Sequence, residues 1–174
     1  MVCALLALSI APAVAKTVPV KTWVNGICTN LVEWQNDLEQ QSNTFQSTVT
    51  DSSTIAEVKA MFVDFLDGAI TSTKTMIADV KALGTPKVAD GEEIAGVITT
   101  GVSEVQAGFK EALASAKTLP TKQAAFKAQL DKITKKLDAS SARASKIFDS
   151  AKKKYDTKSV DAARKSNTAC SALS

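Results

Sequence analysis

The chain has 174 residues, 22% of them charged and 5% aromatic, with seven glycines, four prolines and a formal net charge of +3. That length supports one domain with a continuous core. The abundance of alanine, lysine, serine and threonine favours helices over a sheet-rich fold, and the lack of any histidine removes the commonest general base and metal ligand.

Charge is unevenly placed. Residues 16–120 carry 8 basic and 13 acidic side chains, a net of −5, whereas residues 121–174 carry 13 basic and 5 acidic, a net of +8. Such asymmetry fits complementary packing within the chain, or a basic face offered to an anionic partner. Only two of the basic residues are arginines, Arg143 and Arg164. Bidentate clamping of phosphate or carboxylate usually wants several.

Residues 1–15 form an apolar run closed by Ala13-Val14-Ala15. Small residues at the first and third places of that triplet suit a signal peptidase, so the run is expected to be a leader, with Lys16 opening the mature chain. No Lys or Arg precedes the apolar core, which reads as a truncated start or a true start further upstream. The alternatives are a buried N-terminal helix and an uncleaved anchor. Removing the leader removes Cys3 and leaves Cys28 and Cys170. An even count in an exported chain points to one disulfide, closing a loop of roughly 140 residues. Two unrelated buried thiols are the other reading.

The mature chain opens on an extended lead-in, Lys16 to Thr22, that holds Pro19. A first helix is expected from about Thr22 to Thr48, with a stripe of Trp23, Ile27, Leu31, Trp34, Leu38 and Phe45. Thr50 to Ser53 is a turn. The second helix begins at a capping box, Thr54 with Glu57, and ends at Gly84-Thr85-Pro86. Phe62, Phe65 and Leu66 are its heaviest patch.

Asp90-Gly91-Glu92-Glu93 has the same form of start and opens a third helix that Pro120 stops. Gly96, Gly101 and Gly108 lie inside it, and the seven-residue step between the last two predicts close approach of a neighbour. The fourth helix, from Thr121 to Tyr155, has a stripe of Phe126, Leu130, Ile133, Leu137, Ser140, Ala144, Ile147, Ala151 and Tyr155. Short connections make neighbours antiparallel. The expected fold is therefore all-α, an antiparallel up-down four-helix bundle.

Cys170 lies far past the level of Cys28 on that fourth helix. The chain must turn back near Asp156 to Ser159, and a short helix from about Ser159 to Ala169 then climbs to Cys28. The fourth stripe thins to Ser140, Ser141 and Ala144 at the level predicted for Cys28. The returning tail should reinforce the bundle there, or a cavity should open.

Catalytic signatures are absent. Asp64 with Asp67, and Glu92 with Glu93, are paired carboxylates that flank stripes and read as solvated or capping. No haem-attachment, di-iron, P-loop, nucleophile-elbow or dinucleotide motif occurs. No cofactor and no metal are expected, and no enzyme. Trp23 and Trp34, three turns apart, share a face, which means core packing or the lining of a ligand cavity.

The lysines carry the most chemistry. Lys132, Lys135, Lys136, Lys146, Lys152, Lys153 and Lys154 spread around the fourth helix. They suit an anionic polymer, lipid headgroups or an acidic protein partner. The plainer reading is a solvated face paired with the acidic first half. Nucleic acid fits less well, since it calls for arginine and interleaved aromatics.

With Cys28 near Trp34 in the first helix and Cys170 near the C-terminus, the chain resembles uncharacterised small exported helical proteins of actinobacteria. The resemblance covers the whole mature chain. It implies a secreted or envelope location and brings no activity with it. The expected function is a non-enzymatic binding or structural protein of the envelope or exterior that acts through its fourth helix. The alternative is a carrier of small apolar or lipid ligands in the bundle interior.

Overall fold

A computed structural model describes residues 16–173. The expected leader and Cys3 lie outside the described residues. The elements in order are β1 (Thr17–Val18), α1 (Val20–Thr48), α2 (Ile55–Ala82), β2 (Thr85–Pro86), α3 (Gly91–Lys117), α4 (Gln123–Lys154), α5 (Lys158–Lys165) and α6 (Thr168–Ser171). Among the described residues the fold is all-α apart from one short pair of parallel strands.

The chain begins that strand pair at once. Thr17 and Val18 align with Thr85 and Pro86, and the amides of Thr85 and Lys87 donate to Lys16 and Val18 at 2.8 Å. The lead-in is extended as expected only as far as Pro19, and α1 starts at Val20, two residues before the expected Thr22. Gly84 ends α2 with φ +79°, the left-handed conformation that favours glycine. A β-carbon there would overlap the Lys16 carbonyl. The Trp23 indole N–H donates to the Gly84 carbonyl at 3.0 Å, tying α1 to the same corner.

Helix starts differ in how they are capped. At α2 the Thr54 amide donates to Glu57 Oε2 at 2.7 Å and the Glu57 amide to Thr54 Oγ1 at 3.3 Å, which is the expected box. Backbone hydrogen bonding from Thr54 holds the Glu57 carboxyl below its ordinary pKa. At α3 the parallel with that box fails. Asp90 stands at the N-cap with φ −104° and ψ 35°, and its side chain bonds no backbone amide. Glycine at the first helical position and carboxylates at Glu92 and Glu93 start the helix instead.

Successive long helices run antiparallel. Phe45, late in α1, meets Phe62 and Phe65, early in α2, with ring centroids 5.9 Å apart. Lys59 of α2 donates to the Leu119 carbonyl just past α3 at 3.0 Å. Lys136 of α4 donates to Ser115 of α3 at 3.2 Å. The arrangement departs from the four-helix bundle in its closure. Each long helix packs on its chain neighbour, and α4 packs on α3 without a comparable seam on α1. The free flank of α1 takes α5 and α6.

Two apolar cores result, one towards each end. The first joins Trp23, Val24, Ile27 and Cys28 of α1 with Met76, Val80, Ile94 and Val102, and Ala163 and Cys170 close its remaining side. The second joins Leu66, Ala112, Ala116, Leu119 and Ile133. Serving only this second core and its own seam with α3, α4 buries a narrow row, Ile133, Ser140 and Ala144. These are three of the nine stripe residues read from the sequence, the other six are half-buried, and most of the helix circumference stays exposed.

The small centre of the α4 stripe has a different cause from the one expected. Ser140 sits against Gly108, where a β-carbon would lie 2.5 Å from both Cβ and Oγ of Ser140. Its hydroxyl donates to the Glu104 carbonyl at 2.6 Å. The thin point is a close approach to α3, not a seat for the tail, which docks on α1. Gly101 makes similar room for the Phe148 ring. These glycines carry a prediction. A β-carbon added at Gly96 would meet nothing within 4 Å, so Gly96→Ala should stabilise by about 0.4–1 kcal/mol. Gly108→Ala should destabilise by about 1–2 kcal/mol, since a rigid Cβ is in the way and overpacking outweighs helix propensity. Urea midpoints compare the two, and equal stabilisation by both would refute the close approach.

The tail turns back at the expected place and its helix is broken in two. Asn167 interrupts it by accepting from the amides of Ala169 and Cys170 at 2.9 and 3.3 Å, so its side chain caps α6 rather than extending α5. The same side chain donates to Asn25 Oδ1 of α1 at 3.1 Å. Cys28 and Cys170 are joined by a disulfide with Cα atoms 4.9 Å apart. Both are buried.

Candidate functional site

The seven lysines singled out in the sequence lie on α4, and every one is exposed. Helical spacing divides them. Lys135, Lys146 and Lys153 are eleven and seven residues apart, and at 100° per residue they fall opposite the buried row. Lys132, Lys136 and Lys154 lie on the flank shared with Arg143, and Lys152 lies on the other side. By the same spacing Asp131, Asp138 and Asp149 fall on the outer face beside Lys135, Lys146 and Lys153, as neighbours three or four residues apart. The helix therefore has a basic flank and a mixed outer face.

Pairing with the acidic first half is slight. Among the described residues the one ion pair joins Arg143 to Glu104. None of the seven lysines has a carboxylate oxygen within 4 Å among those residues. Lys136 binds the Ser115 hydroxyl, and the Lys154 ammonium stands 5.0 Å from the centre of the Tyr155 ring. The Tyr155 side chain, foremost through its hydroxyl, holds Lys154 above its ordinary pKa, and Glu93 and Asp90 add in the same direction.

Beside this basic side runs a groove of about 350 Å³, bounded by Val97 of α3 and by α4 from Lys146 to Tyr155. The sequence does not reveal it, although it holds two of the seven lysines, because the groove needs the α3 wall. A second groove of about 450 Å³ runs between α1 and α2 over Phe45, Met61 and Phe65, with Asp64 at its edge. Its Gln41 donates to Ser72 at 2.8 Å, while its Oε1 is buried without a hydrogen-bond partner. Gly68 faces that oxygen, and a β-carbon there would overlap it.

The tryptophans separate. Trp23 is a core residue at 2% exposure. Trp34 is half-buried, donates to Thr73 Oγ1 at 3.1 Å and lines a third groove of about 340 Å³. Of the paired carboxylates, Asp64, Asp67, Glu92 and Glu93 are all exposed. Among the described residues no cluster of three or more Cys, Asp or Glu side chains is placed to hold a metal. No helix there is long and apolar enough to cross a membrane. Compared with known proteins, the chain matches no protein family, no curated protein and no solved structure.

Proposed function

We propose that the chain is an exported, non-enzymatic binding protein of the cell envelope or exterior, and that the lysine-rich exposed surface of α4 docks it on an anionic surface. One observation carries this reading: seven exposed lysines on one helix, none with a carboxylate within 4 Å among the described residues. A face meant only to neutralise the acidic half would be tied to it, as Arg143 is tied to Glu104. Exposed ammonium groups on long, flexible stems instead suit headgroups or an anionic envelope polymer, each worth about 1 kcal/mol near such a surface. Export is supported by the apolar leader and by the buried disulfide, which persists in oxidising compartments. The likeness to small exported actinobacterial helical proteins belongs to the same reading.

A carrier with a hollow interior has less behind it. The centre is filled, with Leu66, Ala69 and Ala112 wholly buried. Co-sedimentation with vesicles rich in phosphatidylglycerol tests docking. Binding at about 50 mM salt should weaken by about tenfold or more by roughly 500 mM, because screening acts on exposed charges. Neutral phosphatidylcholine vesicles should bind far less. Absence of binding to anionic vesicles at low salt would sink the proposal.

A further inference from the structure

We infer that the groove between α3 and α4 binds one anionic lipid, with its aliphatic chain on an apolar floor and its acidic headgroup on a lysine rim. This rests on the docking role of α4 and narrows the ligand to a lipid. The spacing of the α4 residues creates both chemistries. Lys146, Ser150 and Lys154 are four apart and make one row along the helix, about 12 Å long. Ile147, Ala151 and Tyr155 make the next row, closer to α3. The rim thus reads ammonium, hydroxyl, ammonium, and the floor reads aliphatic, small, aromatic.

Ala151, half-buried between two bulkier residues, leaves the floor hollow, and Val97 supplies the opposite wall. The groove is open to solvent along one side and offers about 350 Å³, at the small end of ligand sites and suited to a single chain.

The headgroup belongs on the rim, beside the Lys146 and Lys154 ammonium groups and the Ser150 hydroxyl, and the chain belongs on the floor of Ile147, Ala151 and Tyr155. A highly charged polymer would leave the apolar floor uncovered. A neutral apolar molecule would make no use of Lys146. An anionic single-chain amphiphile satisfies both.

The test uses the mature chain and a single-chain phosphatidylglycerol below its micelle concentration, with glycerol phosphate as the headgroup alone. Saturable one-to-one binding of the lipid is expected, with glycerol phosphate weaker by about a hundredfold, because each buried methylene adds to affinity. Ala151→Trp should fill the floor and weaken lipid binding by about tenfold or more. Val97→Trp fills it from the α3 side, so the test survives if one variant melts early. Lipid binding unchanged in a folded variant, or glycerol phosphate binding as tightly as the lipid, would overturn the site. Wild-type protein that adsorbs to anionic vesicles yet takes up no monomeric lipid would overturn the groove alone. Failure of both assays would overturn the docking role as well.

Discussion

Replacing both cysteines, Cys28→Ser with Cys170→Ser, should lower stability by up to about 5 kcal/mol, the chain-entropy value for cross-linking residues 142 apart. For a domain of this size that is roughly a 10–20 °C fall in Tm. The loss should be local before it is global. α5 has one buried side chain, Ala163, and α6 has Cys170. Neither helix is long enough to stand alone. Without the bridge, what still ties the tail to α1 is thin: shallow burial and the Asn167–Asn25 hydrogen bond. Hydrogen exchange should therefore show amides of residues 158–173 losing protection first, followed by the start of α1. Amides around Leu66, Ala112 and Ile133 should hold longest, because that core contains no residue of the tail. A fall of less than about 1 kcal/mol would mean that the tail is held by packing and the disulfide is incidental.

Trp23→Ala should be the most damaging single substitution, at about 3–5 kcal/mol. Trp23 is among the largest fully buried side chains and centres the core that joins α1, α2, α3 and the tail. Its removal leaves a cavity and also strands a carbonyl. The Gly84 oxygen it serves lies at the left-handed end of α2, beside the β1–β2 pairing. Trp23→Phe separates the two effects. It keeps most of the volume and loses only the hydrogen bond, so about 1–2 kcal/mol is expected. Denaturant midpoints would decide. Equal losses for the two variants would show that the bond to Gly84, and not the packing, makes this corner.

Much of this structure is written in local chemistry. The capping box at Thr54, the left-handed turn at Gly84 and the buried row of α4 all follow from a few adjacent residues. The close approach at Gly101 and Gly108 follows from their spacing. What could not be read locally is which stripes meet. Each amphipathic helix announces that it needs a partner, but not how many. α4 packs chiefly on α3, where Ser140 meets Gly108 in a close seam. A two-residue strand pair has no periodicity to detect, so β1 and β2 were invisible. At Asp90 the residue type fits a cap but the backbone does not. At Asn167 the reverse holds: a residue inside an expected helix proves to cap the next.

The candidate site divides in the same way. Its lysines were legible by count, and their distribution around α4 follows from 100° per residue. The apolar floor was hidden because Ile147, Ala151 and Tyr155 read as core stripe, and the wall at Val97 comes from another helix. Only the α3–α4 seam shows that this end of the stripe is incompletely covered, with Ile147, Ala151 and Tyr155 each half-buried. Unpaired charge and uncovered apolar surface then lie side by side.

The docking role of α4 is tested most directly by neutralising the lysines that face away from its buried row. In Lys135→Gln, Lys146→Gln, Lys153→Gln the packing is untouched, since all three side chains are exposed. At about 1 kcal/mol for each charge, affinity for phosphatidylglycerol-rich vesicles at low salt should fall by about a hundredfold. Removing three exposed lysines elsewhere, Lys21, Lys74 and Lys81, changes net charge equally and should shift affinity by no more than about threefold. Equal losses in the two variants, or no loss in the first, would contradict a binding face on α4.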